Sequence, residues 1–264
     1  MSDENDNKDS VDKENLAEGS LMSHLVELRG RLLKIAAAVI IVFLVLFPFA
    51  GEIFSFVSEP IRDVLPGQAL IATGVASPLL TPLKLTFFAA LCLAMPIVLY
   101  QVWAFVAPGL YLKEKHFAVP LLVSSILLFY AGVAFAYFVV FPLVFKFFTA
   151  VAPDGVEVMT DISLYLDFIT TIVLAFGLAF EVPIATVLIV WTGLTTPKKL
   201  GSARPYVLLG AFVVGMLLTP PDVISQTLLA IPVYLLYELG IFMSRFFVRK
   251  VEETEADDAV TADK

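Results

Sequence analysis

From residue 32 onward the chain alternates long apolar runs with short segments rich in Pro, Gly or charge. An uncharged helix of about 18 or more residues crosses a hydrocarbon core of roughly 30 Å, at 1.5 Å per residue. On that pattern six spans are expected, near 32–50, 84–107, 117–141, 167–191, 205–219 and 223–243. The prediction is an all-α integral membrane protein whose membrane domain covers 20–248 and whose last two spans are short. Within the fifth, Pro205 to Leu218 would cover only about 21 Å, so thinning of the bilayer beside spans five and six is expected. No internal repeat is visible, which counts against the duplicated architecture of many secondary transporters.

The apolar runs are entered through an amphipathic segment, Ser23-His24-Leu25-Val26-Glu27-Leu28-Arg29-Gly30-Arg31-Leu32-Leu33. As a helix it places His24, Glu27 and Arg31 on one face and Leu21, Leu25, Leu28 and Leu32 on another. Glu27 and Arg31 stand in the favoured i, i+4 order, and a surface ion pair worth a few tenths of a kcal/mol is a sufficient account of them.

Composition agrees with the pattern: 59% of the 264 residues are hydrophobic, more than a soluble domain can cover with polar surface. The formal charge of −8 resolves into about −5 in residues 1–18, −5 in residues 251–264 and +2 between them. Tails so charged and so poor in aromatics bury too little apolar surface to repay their ordering, so 1–19 and 249–264 are expected to be disordered. The acidic N-terminus shows no cleavable signal pattern, and insertion is expected to use the first span. With both termini in the cytoplasm, eleven Lys and Arg between residues 29 and 250 fall inside against three outside, Arg62, Lys84 and Lys146, as the positive-inside rule requires. The first outer loop, about 51–82, holds Pro60, Pro66, Pro78 and Pro82 and is expected to form a cap.

Few residues carry candidate chemistry. Glu181, in Phe180-Glu181-Val182-Pro183, lies inside the fourth span, where a carboxyl costs roughly 3 kcal/mol on insertion scales and so faces protein or water. It fits either a polar contact to a docking or translocating segment or a hydrogen-bonded carboxyl that fixes packing, and Pro183 predicts a kink beside it. Glu238, two turns before Arg245, reads as structural. Asp222 and Gln226 share a face at the start of span six, where Asp222 also suits a helix N-terminus and Gln226 suits a partner helix. The single Cys92 excludes an internal disulfide. Two histidines, with no HExxH, CxxC, phosphate-binding glycine loop or nucleophile elbow, leave no basis for an enzyme. An ion-coupled secondary transporter built on Glu181 is the rival function, though it would need more polar partners at mid-membrane than the chain supplies.

Four strings in order, Ser23-His24-Leu25-Val26-Glu27-Leu28-Arg29, Tyr100-Gln101-Val102-Trp103-Ala104-Phe105-Val106-Ala107-Pro108, Phe180-Glu181-Val182-Pro183 and Leu218-Thr219-Pro220-Pro221-Asp222, closely resemble TatC, the multi-spanning core subunit of the twin-arginine protein translocase. The resemblance covers about Ser20 to Val248. It implies a receptor in the bacterial cytoplasmic (inner) membrane that binds twin-arginine signal peptides of folded precursors at its cytoplasmic face and nucleates their transport, driven by the proton-motive force. It implies no cofactor, metal or nucleic-acid partner. Expected partners are single-span TatB-like and TatA-like subunits, further copies of the chain in a receptor complex, and membrane lipids. By match to the family motifs, Glu27, Arg29, Glu114 and Phe105 would bind the signal peptide, and Pro60, Glu181, Asp222 and Gln226 would be further functional positions. The chemistry is coherent, because a carboxylate receives the planar fork of a guanidinium in a way that lysine cannot reproduce.

Overall fold

The computed structural model describes residues 3–60, 70–106, 115–151, 159–218 and 223–262, with side chains over 25–60, 70–105, 119–151, 159–217, 223 and 226–246. The helices are α1 (Asp3–Leu46), α2 (Ala50–Val57), α3 (Ser77–Leu93), α4 (Met95–Val106), α5 (Lys115–Phe135), α6 (Phe141–Val151), α7 (Ile162–Ala179), α8 (Val182–Trp191), α9 (Pro197–Ser202), α10 (Arg204–Leu218) and α11 (Val223–Ala262). Four helical stretches are long and apolar enough to cross a membrane: Leu25–Val57, Val119–Val151, Ile162–Trp191 and Gln226–Phe246. A fifth is α3 with α4, bent by 49°. The all-helical expectation holds: among the described residues four of the six expected spans have a helix of spanning length, and the bent α3–α4 pair makes a fifth if it is taken as one span. At the fifth expected span, α10 has 15 residues, about 22 Å of helix. The sixth, also expected to be short, is a 21-residue stretch, Gln226–Phe246, inside the longer α11, and Pro232 does not interrupt it. Helix also continues through both acidic tails, expected as coil; neither contains a proline to interrupt the backbone ladder.

Prolines explain the breaks. Pro96 has no N–H for the carbonyl of Cys92, four residues back, and α3 bends into α4 there. The Tyr130 hydroxyl donates to that carbonyl at 3.2 Å, supplying the missing partner from α5. Pro142 is preceded by a π-helical turn, Ala136–Val140, that joins α5 to α6. Pro183 opens α8 just after α7 ends at Ala179, so the kink expected beside Glu181 is an interruption of the helix.

The expected cap is more helical than its prolines suggest. α2 begins at Ala50 and α3 at Ser77, with Pro78 at the first turn of α3, a position that needs no N–H. Three contacts tie this region down. Ile71 exchanges backbone hydrogen bonds with Thr160 and Ile162, at 3.1 and 2.8 Å. The Asp161 carboxylate caps α7 by accepting from the amides of Ser163 and Leu164, and it also accepts from the amide and hydroxyl of Thr73, at 2.9 and 2.6 Å. Those bonds, the Thr73 hydroxyl foremost, hold the Asp161 carboxyl down at about 2. The hydroxyls of Tyr137 and Tyr165 take the last carbonyls of α2, those of Phe56 and Val57.

Helix association in lipid rests on close packing more than on apolar burial, because the acyl chains are as apolar as leucine. The core lies between α5, the π turn, α6 and α7, around the fully buried Phe141, Ile169, Ile172 and Phe176. Gly132 of α5 and Gly177 of α7 let the helices touch: a Cβ on Gly132 would stand 2.5 Å from the carbonyl oxygen of Phe176, and one on Gly177 would stand 2.6 Å from the Phe129 ring. A second cluster, Trp103, Leu121, Ile184 and Val187, joins α4, α5 and α8. By contrast α1 is peripheral, with Leu32, Ile41, Leu44 and Val45 exposed as a lipid-facing surface would have them.

Candidate functional site

The middle of α1, just before its apolar stretch, meets the C-terminal turn of α4. On α1, Arg31 donates through both Nε and Nη2 to a single oxygen of Glu27, Oε1, at 3.0 and 2.6 Å. The same guanidinium crosses to α4, where Nη2 donates to the carbonyl of Ala104 at 2.9 Å and Nη1 to Oε1 of Gln101 at 3.4 Å. Ala104 lies in the last turn of α4, where carbonyls lack an intrahelical donor and the helix dipole favours a cation. Gln101 and Trp103 are buried, while Phe105, beside Ala104, is half-buried. Glu27 and Phe105 are thus brought to the same end and linked through Arg31.

Arg29 is exposed and takes no part in that network. Glu114 and Asp222 lie outside the described residues. The ion pair anticipated between Glu27 and Arg31 is present, and it is one arm of a longer connection that sequence spacing did not reveal.

Deeper, Glu181 sits in the break between α7 and α8, about ten residues or roughly 15 Å of helix from Trp191. The Ser125 hydroxyl of α5 donates to its Oε2, and its Oε1 is buried without a hydrogen-bond partner among the described residues. Both readings of Glu181 keep support: one oxygen fixes packing, the other offers an acceptor. Glu238 pairs with Arg204, not with Arg245, through a two-point fork of 2.5 and 2.8 Å that closes α10 on α11.

The remaining positions lie at the opposite end. Pro60 is buried and borders a cavity of about 640 Å³ with Glu59, Tyr137 and Lys146. Gln226 is half-buried, and its backbone lies where a Cβ on Gly215 would come within 3.5 Å of it, so α10 and α11 are in close contact there. Sequence reasoning missed Gln101, Ser125 and Asp161 as partners. Gln101 and Ser125 were visible as polar residues in apolar runs, and Asp161 as an aspartate followed by an apolar helix, a usual N-cap sign.

A family model described as Sec-independent protein translocase protein (TatC) matches residues 23–232. The chain belongs to the TatC family. It is 59% identical over 236 residues to the Sec-independent protein translocase protein TatC of Escherichia coli K12, covering 89% of this chain and 92% of that one. It is 58% identical to the protein of that name from Azotobacter chroococcum, over 90% and 93% of the two chains. Among solved structures it resembles the crystal structure of the twin-arginine translocase receptor TatC, with a TM-score of 0.77, 39% identity, and coverage of 84% and 98%. As a TatC family member it is a protein translocase subunit, a transport component and not an enzyme, and a multi-pass membrane protein that works within a Tat complex.

Proposed function

We propose that this chain is the receptor that takes the paired arginines of a twin-arginine signal peptide at the end where α1 meets α4. The observation that carries the reading is the Glu27 carboxylate, with side-chain exposure of 37%, held in place by Arg31 beside the helix end that bears Phe105. Such a carboxylate accepts a guanidinium through charge-assisted hydrogen bonds, and Phe105 offers apolar contact to the residues that follow the arginines. Glu114 supplies the second carboxylate and Arg29 borders the site.

On this reading six helices span the bacterial inner membrane with both termini in the cytoplasm, and the bilayer is thinned beside α10. Single-span TatB-like and TatA-like subunits pack near Gln226 and Asp222, and several copies of the chain assemble in a receptor complex. Proton-motive force drives the transport step, and the passage for folded cargo forms between subunits. Pro60 and Glu181 serve the transport steps that follow recognition. An ion-coupled carrier centred on Glu181 is disfavoured, because Ser125 is the one hydrogen-bond partner of that carboxylate among the described residues.

Photo-crosslinking in membranes tests the reading. Probes replacing Glu27-adjacent Leu28 and Phe105 are expected to label a precursor bearing two arginines and not its two-lysine counterpart. Equal labelling of both precursors, or of neither in a transport-competent complex, removes this end of the helices from signal recognition.

A further inference from the structure

Glu27, in the middle of α1, does not define a site alone; something must hold its carboxylate and set its distance from α4. The guanidinium of Arg31 does both. It spends two donors on one oxygen of Glu27 and two more on α4, at the Ala104 carbonyl and the Gln101 amide oxygen. A carboxylate has about four lone-pair sites. Two of them, on Oε1, are taken by Arg31, and among the described residues Oε2 has no hydrogen bond. The Arg31 side chain is 20% exposed, so it is packed between the helices and is not a solvated surface charge.

We infer that Arg31 is a positioning residue for twin-arginine recognition: it fixes the Glu27 rotamer so that Oε2 is the acceptor presented to an incoming guanidinium, and it holds the Phe105-bearing turn of α4 at the matching distance. The inference rests on the proposed role of Glu27. Lysine cannot replace Arg31, because one ammonium carries the charge but not the planar fork that reaches a carboxylate on one helix and a carbonyl on another. Gln101 adds a weaker restraint through a contact of 3.4 Å. It anchors Nη1 from a buried position and keeps the guanidinium plane from rotating about its bonds to Glu27.

The test is the ratio of affinities of the intact receptor complex for a signal peptide with two arginines and for the same peptide with two lysines. A loss of general stability lowers both affinities together and leaves the ratio alone. Glu27→Gln is expected to reduce the ratio about tenfold or more, the size of one charge-assisted hydrogen bond. Arg31→Lys is expected to reduce it about as much with Glu27 intact, and Gln101→Leu by a smaller factor of about three. If Glu27→Gln leaves the ratio unchanged, the proposed recognition site itself is wrong. If Glu27→Gln lowers it and Arg31→Lys does not, the site stands and the positioning role of Arg31 is overturned. Should Arg31→Lys fail to assemble into the complex, Gln101→Leu decides: an unchanged ratio overturns the inference, a reduced one supports it.

Discussion

The crossing of α5 over α7 supports a quantitative prediction, Gly132→Ala. The new methyl would stand 2.5 Å from the carbonyl oxygen of Phe176 and 3.0 Å from Cγ of Phe180, in a helix that carries the Phe129 ring and that crosses the buried Phe176. A methyl carbon rests about 3.5 Å from its neighbours, so the deficit is roughly 1 Å. The first obstacle is backbone, which cannot swing aside as a side chain would. The helices must separate, and a radial gap of 0.5–1 Å forfeits about a quarter to a half of each dispersion contact along the seam. Overpacking of this kind costs about 1–3 kcal/mol. On the scaling of chains this size, that lowers the melting temperature by roughly 2–10 °C. Fluorescence-detected size exclusion of heated, detergent-purified protein reads the shift. Gly210→Ala is the control, since nothing lies within 4 Å of its added Cβ. Alanine there relieves about 1 kcal/mol of glycine's helix penalty, so it should melt at or slightly above the parent. If Gly132→Ala melts with or above Gly210→Ala, the close approach of α5 and α7 is not as described.

Two further predictions concern the polar ties. Asp161, whose carboxyl is held down at about 2, contributes stability that is fully present above the ordinary aspartate value near 4 and is lost as pH falls through 2. Protection of the 71–77 segment against hydrogen exchange should therefore hold from pH 7 to about 4 and decline below it. Asp161→Asn should weaken that protection already at pH 7 and flatten the decline; an unchanged acid profile in the variant would show that another group controls it. Tyr130→Phe leaves the Cys92 carbonyl, already denied a donor by Pro96, without its hydroxyl partner, at a cost of about 1 kcal/mol. Spin-label distances across the α3–α4 bend should broaden, and a distribution as narrow as the parent's would show that the bend is held by packing alone.

Much of the molecule is legible in the sequence because lipid imposes a one-dimensional rule. Backbone polar groups inside a bilayer must be satisfied within the segment, so apolar length alone predicts spans near 32–50, 117–141, 167–191 and 223–243, where the structure has the helical stretches Leu25–Val57, Val119–Val151, Ile162–Trp191 and Gln226–Phe246. The helix interruption at Pro183 and the short α10 are readable on the same terms, as is the Glu27–Arg31 pair, since i, i+4 neighbours meet within one helix. The helical content of the cap is less so. Its prolines signal breaks, yet a proline in the first turn of a helix breaks nothing, as Pro78 shows in α3.

The sequence by itself determined a many-helix membrane protein, its family, and the residue types available at each end of the helices. Only the tertiary structure decided which of those residues meet. Arg31 reaches Gln101 and Ala104 across about 70 positions, Ser125 reaches Glu181 across 56, and Glu238 takes Arg204 in preference to the sequence-near Arg245. The physical reason is that helix formation in lipid depends on local backbone satisfaction, whereas partner choice depends on how helices cross, which glycines such as Gly132 and Gly177 and breaks such as Pro96 set through close packing that no pattern along the chain records.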